Sequence, residues 1–234
     1  MTENKKIQKE RAMKLFLNSC NIEEIREIAA WGILDGITMN PTMVAALNTD
    51  FIKNLQEICR IVGDIPVLAQ VVSSTAADIV REGKALAAID EKIVVKVHTN
   101  VEGLQGMSAL KAAGVKVCAT AVHSVIEGIA VERTGVDHVA IFIGLLGEVD
   151  EHSTADLITT LRTIYDKSGS STKIMAAVRS LNQLVQAAAA GADEMTCSYK
   201  LWTLFLDHAH TKNRWNAFLA DWNNAYGERN WETG

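Results

Sequence analysis

Lys96 stands in the run Lys92-Ile93-Val94-Val95-Lys96-Val97-His98-Thr99-Asn100. Ile93, Val94, Val95 and Val97 are β-branched, so the stretch reads as a buried strand of a parallel sheet. Lysine is rarely buried unless something compensates its charge. Desolvation lowers the pKa of the amine and leaves a nucleophile suited to Schiff-base chemistry. The structural alternative is a lysine that snorkels to water or pairs with a carboxylate. Polar residues recur at the ends of other short apolar runs: Asn18 and Ser19, Thr38 and Asn40, Gln70, His98, Thr120 and His123, Arg179 and Ser180, Thr196 and Ser198. A lysine among amides and hydroxyls, with few carboxylates, suits a Schiff-base site whose donors hold the carbonyl and hydroxyl groups of a sugar-like substrate. No His/Cys/Asp/Glu cluster has metal-ligand spacing and no Gly-x-Ser-x-Gly elbow occurs, so the reading calls for no metal and no cofactor.

The elements that must position these residues follow a repeating pattern. Apolar strand runs at 15–17, 36–38, 66–72, 92–97, 115–120, 138–143, 173–177 and 194–197 alternate with helical segments such as 51–62 and 76–88. Asn21 is placed to cap the first helix, with Glu23 and Glu24 in its first turn. Gly114, Gly135 and Gly191 each follow a helical stretch and precede a strand, as C-capping glycines do. Eight such units in about 200 residues predict an α/β fold, a (β/α)8 TIM barrel with an extra C-terminal helix. A doubly wound sheet competes, but no Gly-x-Gly-x-x-Gly or P-loop supports it. In a barrel the ends of the strands carry the active site, which gathers the polar residues above.

The predicted organisation is a charged extension at 1–13, one barrel domain with its C-terminal helix at 14–224, and a tail at 225–234. Residues 199–224 read as helical and include Trp202, Trp215 and Trp222. The helix either packs over the barrel bottom or docks on a neighbouring subunit, since large aromatics are enriched at interfaces. Net charge is −5, without a basic stripe, which argues against a nucleic-acid partner. The four cysteines form no Cys-x-x-Cys pair, and no apolar run is long enough to span a bilayer. A soluble cytoplasmic protein is expected, with no membrane partner.

Residues 13–226 resemble the small transaldolases and fructose-6-phosphate aldolases. The resemblance is carried by Met-Lys-Leu-Phe-Leu at 13–17, Asp-Gly-Ile-Thr-Met-Asn-Pro-Thr at 35–42, Ala-Gln-Val at 69–71, Val-Val-Lys-Val at 94–97, Thr-Ala-Val at 120–122 and Phe-Leu-Ala-Asp-Trp at 218–222. It implies a class I aldolase barrel with Lys96 as the Schiff-base lysine. It implies that Thr38 and Asn40 line the donor ketose and that Thr120 helps hold a catalytic water. Gln70 sits where transaldolases carry glutamate and the aldolase branch carries glutamine, which tilts the expectation towards a free aldolase over a transferase. The implied partner is a sugar or sugar phosphate, and the implied assembly is a homo-oligomer of five or ten subunits.

The departures shape the expected chemistry. Asn18 replaces the aspartate of the first-strand motif, and Phe142 replaces the tyrosine of the aldolase branch, so both usual proton carriers are absent. At the phosphate site Leu145 and Ala177 replace an arginine and a serine, leaving Arg179. A phosphate held by one arginine loses most of its charge-assisted bonds, so a substrate that lacks a phosphate on the acceptor side, or carries another polar group there, is expected. His98 stands where the family has proline. It lies two residues beyond Lys96, on the same face of a continued strand, and imidazole titrates near neutrality, so it is the candidate proton shuttle. The expected catalytic set is Lys96, Gln70, Thr120 and His98; the expected substrate-binding set is Asn18, Thr38, Asn40 and Arg179. A transaldolase and a non-catalytic sugar-binding descendant are the alternatives.

Overall fold

The computed structural model describes residues 13–142 and 153–232. The charged arm thus lies outside the described residues up to position 12, as do Gly144 and Leu145. Eight parallel strands close into a barrel in chain order: β1 (Lys14–Asn18), β2 (Gly36–Thr38), β3 (Val67–Gln70), β4 (Ile93–His98), β5 (Val117–Val122), β6 (His138–Phe142), β7 (Lys173–Ala177) and β8 (Glu194–Ser198), with β8 pairing back to β1. The helices are α1 (Ile22–Ala30), α2 (Pro41–Leu47), α3 (Phe51–Val62), α4 (Ala76–Ala87), α5 (Val101–Ala112), α6 (Val125–Glu132), α7 (Ser153–Ser168), α8 (Leu181–Ala189), α9 (Tyr199–Trp202) and α10 (Ala209–Tyr226). The fold is the expected (β/α)8 barrel with a C-terminal helix.

Local chemistry sets the boundaries. Asn21 caps α1 by accepting from the amides of Glu23 and Glu24. Gly114, Gly135 and Gly191 take φ of 78°, 77° and 92°, the left-handed conformation that turns each chain end back into a strand. Helix α2 has no counterpart in the sequence reading. Asn40 caps it and Pro41 occupies its first turn, so residues that read as a strand-end loop start a short helix instead.

Side chains alternate across each strand, which divides the core in two. Outward residues such as Leu17, Ile37, Val95, Ala119, Ile141 and Ala176 join the helices in the main apolar layer. Phe16, Leu68, Val94, Cys118, Ala140 and Met175 form a separate plug inside the barrel. Gly36 makes room for it, because a Cβ there would lie 2.1 Å from the Phe16 ring. Below the plug, Glu194 is 1% exposed and its carboxylate lies 2.8 Å from His138 Nδ1.

The C-terminal segment corrects one reading. The stretch expected to be helical at 199–224 forms two helices, α9 and α10, separated by a turn. Trp202 is fully buried and donates through Nε1 to Phe16 O at 3.3 Å. Helix α10, however, buries no residue, so it is not packed over the barrel bottom. Trp215, Phe218, Leu219, Trp222 and Tyr226 follow helical spacing and make one apolar stripe along it, of which Trp222 alone is part-buried.

Candidate active site

The plug fixes where the site lies. Two residues beyond each plug residue, on the same inward face, come Asn18, Gln70, Lys96, Thr120, Phe142 and Ala177. Asn18, Thr38, Asn40, Lys96, Thr120, Phe142, Arg179 and Thr196 line a cavity of about 190 Å³ at the C-terminal ends of the strands.

Lys96 is 6% exposed, and its Nζ donates to Met39 O at 3.3 Å. No carboxylate pairs with it among the described residues. Burial pushes its amine below the usual lysine value, and Cys118, its register partner on β5, acts weakly in the other direction. Cys118 is itself pushed up to about 12 by burial. The lysine is therefore neither snorkelling nor ion-paired. It is a desolvated amine facing a polar cavity.

The surrounding groups are held by short-range bonds. Asn40 Oδ1 accepts from the Met43 amide at 3.0 Å as the cap of α2, which leaves its NH2 as the amide's donor. Thr38 Oγ1 lies 3.1 Å from Asn18 Oδ1 and 2.6 Å from Thr196 Oγ1. The Thr99 amide and hydroxyl both donate to Thr120 O, at 3.1 and 2.8 Å, pinning β5 to the end of β4. The register of β5 against β6 then shifts between Ala119 and Val122, where Ala121 takes φ of 61°. Such irregularities re-aim side chains beside functional sites. Thr120 Oγ1 is buried and has no partner among the described residues. A buried hydroxyl left so costs about 1–3 kcal/mol, which suits a group that binds water or substrate. Arg179 is exposed at the mouth, its amide donating to Gln183 Oε1 at 2.8 Å.

Of the residues expected at the site, Lys96, Thr120, Asn18, Thr38, Asn40 and Arg179 come together in this cavity. Gln70 lies beside Lys96 in the β3–β4 register but lines an adjacent, mainly apolar cavity with Met39, Val44, Phe51 and Glu82. His98 is part-buried at the end of β4, in register with Thr120, and lines neither cavity. Sequence reasoning undervalued Thr196, whose place on the inward face followed from β8 alternation, and the Met39 carbonyl, which no pattern marks. His123 was noted only as a strand-end residue; its ring lies 6.1 Å from that of Phe142, on the cavity wall.

Residues 15–229 match the family described as Transaldolase/Fructose-6-phosphate aldolase. The chain belongs to that family. A probable transaldolase of Desulfotalea psychrophila is 39% identical over 211 residues, covering 90% of this chain and 98% of that protein. Another, of an Exiguobacterium species, is 37% identical over 214 residues, covering 91% and 99%. This transaldolase/aldolase family is one of enzymes, in keeping with a barrel whose polar residues converge at one end. Among solved structures, a Burkholderia cenocepacia protein described as a phosphonomutase superposes with a TM-score of 0.60 at 13% identity, covering 94% of this chain and 100% of that one, a likeness of fold alone. No described helix is long and apolar enough to cross a membrane.

Proposed function

We propose that this family member is a Schiff-base aldolase acting on a ketose with a dihydroxyacetone- or hydroxyacetone-type donor portion. The observation that carries the reading is Lys96, buried, unpaired with carboxylate among the described residues, and set in the wall of a donor-lined cavity. Its amine adds to the C2 ketone and loses water to give an iminium. The C3–C4 electron pair then becomes the C2=C3 double bond, the iminium π pair returns to nitrogen, and the C4 hydroxyl gives up its proton, releasing an aldehyde and leaving an enamine. Protonation at C3 and hydrolysis return the ketone and the free amine. Thr120 holds the water of the carbinolamine steps, with Gln70 supporting it from β3. Asn18, Thr38 and Asn40 bind the ketose oxygens, and Arg179 meets the distal end of the substrate.

The described cavity wall carries no carboxylate, histidine or tyrosine. The C4 proton therefore leaves through water, with His98 at the end of β4 as the proton carrier. Arg179 alone would give a phosphate few charge-assisted bonds, so the substrate is an unphosphorylated or otherwise polar ketose. Turnover of fructose 6-phosphate against unphosphorylated ketoses tests this; a clear preference for the phosphate ester would overturn it.

A transferase reading has its own support, because the relatives are named as probable transaldolases. The two differ in what discharges the enamine. Donor cleavage independent of added aldehyde supports the aldolase, and strict dependence on an aldehyde supports the transferase. A sugar-binding descendant would form no adduct at Lys96. The protein acts in the cytoplasm as a homo-oligomer, a pentamer or decamer, assembled through the apolar stripe of α10. The four cysteines are buried free thiols, in keeping with a reducing compartment.

A further inference from the structure

Three side chains on β1, β2 and β8 form a relay whose direction matters. Thr196 Oγ1 is 2.6 Å from Thr38 Oγ1, which is 3.1 Å from Asn18 Oδ1. Thr38 and Thr196 are 1% and 6% exposed, and the hydroxyl of each is the other's hydrogen-bond partner. Two proton arrangements fit these distances. In the first, Thr196 donates to Thr38 and Thr38 donates to the Asn18 carbonyl oxygen. In the second, Thr38 donates to Thr196, and the carboxamide is turned over so that its NH2 donates to Thr38. The first spends both hydroxyl protons. The second leaves the Thr196 proton unspent, since no other acceptor for it occurs among the described residues, and an unspent buried donor is costly.

We infer that Thr196 is a positioning residue whose hydroxyl sets this relay, so that Asn18 presents its NH2 to the Lys96 cavity as a donor to a substrate oxygen. The inference rests on the proposed aldolase reading and extends it. With Asn40 Oδ1 likewise spent on the Met43 amide, both amides at the site offer N–H groups. The cavity then carries donors for a developing alkoxide or an aldehyde oxygen, and Asn18 binds that oxygen without taking its proton.

The test compares Thr196→Val, Thr196→Ser and Asn18→Ala, with Thr196→Val also made in the Asn18→Ala background. Turnover of the preferred ketose and borohydride trapping on Lys96 are read for each. Thr196→Val should lower kcat on the order of tenfold while leaving trapping in place, and Thr196→Ser should restore it. In the Asn18→Ala background Thr196→Val should cost nothing more, because the relay then has no end. Equal loss in Val and Ser, or a full Thr196→Val effect without Asn18, overturns the relay. If the unmodified protein traps no ketose, the aldolase reading fails separately. The relay is then read from calorimetric binding of the same ketoses: weaker binding in Thr196→Val and recovery in Thr196→Ser support it. Equal affinity in the two, or no binding by the unmodified protein, overturns it.

Discussion

At the scale of single residues, the use proposed for Lys96 carries a folding cost. Its folded pKa lies below the unfolded value because burial disfavours the ammonium. Between the folded pKa and the unfolded value of about 10.4, the unfolded chain binds more protons, so stability rises with pH through that window and the burial penalty stands in full below it. Lys96→Met should therefore be more stable near neutrality by about 1 kcal/mol, a rise of a few degrees in Tm by calorimetry, while losing turnover. An unchanged or lower Tm would mean that the ammonium is better solvated than its burial implies. The rate of adduct formation with a ketose should climb with pH to a midpoint below that of free lysine. His98→Ala should lower turnover by about a hundredfold with trapping intact. Unchanged turnover would remove His98 from proton transfer and turn attention to His123 beside Phe142.

At the scale of elements, the site depends on strand ends and caps made by the same residues. Asn40 both caps α2 and lines the cavity, so its two roles separate by substitution. Asn40→Asp keeps a capping oxygen and should unfold within a few tenths of a kcal/mol of the parent, whereas Asn40→Ala should lose about 1 kcal/mol by denaturant titration. Both should lose activity, because both remove the donor NH2. Equal stability of the two variants would contradict the capping role. On the barrel floor, His138→Ala would remove the hydrogen-bond partner of the buried Glu194 side chain and should cost about 1–3 kcal/mol by denaturant titration. Arg179 lies two residues past β7 at the mouth, but the strand order and the inward ring of Asn18, Lys96 and Thr120 were legible because strand alternation is a local rule applied eight times. The α2 cap was not, since Asn40-Pro41-Thr42 suits a turn as well as a helix start. Nor was the absence of His98 from the cavity lining, since His98 is the last residue of β4, two beyond Lys96 and in register with Thr120, where alternation alone would set it beside them.

At the scale of the whole molecule, α10 is an 18-residue helix none of whose residues is buried, and it presents Trp215, Phe218 and Leu219. The stretch expected as one helix at 199–224 is two, the second at Ala209–Tyr226, so its bounds were not legible in the sequence, but its helical character was. Its detachment was not, because the same stripe would serve a helix packed on its own barrel. The proposed homo-oligomer should fall to smaller species by sedimentation when residues 208–234 are deleted, while the barrel still unfolds cooperatively. An unchanged assembly would place the interface elsewhere. The central claim is that the intact protein binds a ketose covalently through one buried amine. Borohydride reduction in the presence of a panel of phosphorylated and free ketoses, followed by peptide mass analysis, tests it directly. The expected result is a single reduced adduct on the peptide containing Lys96, absent in Lys96→Met, with its mass naming the donor. The absence of an adduct with every ketose, or an adduct that persists in Lys96→Met, would contradict the account.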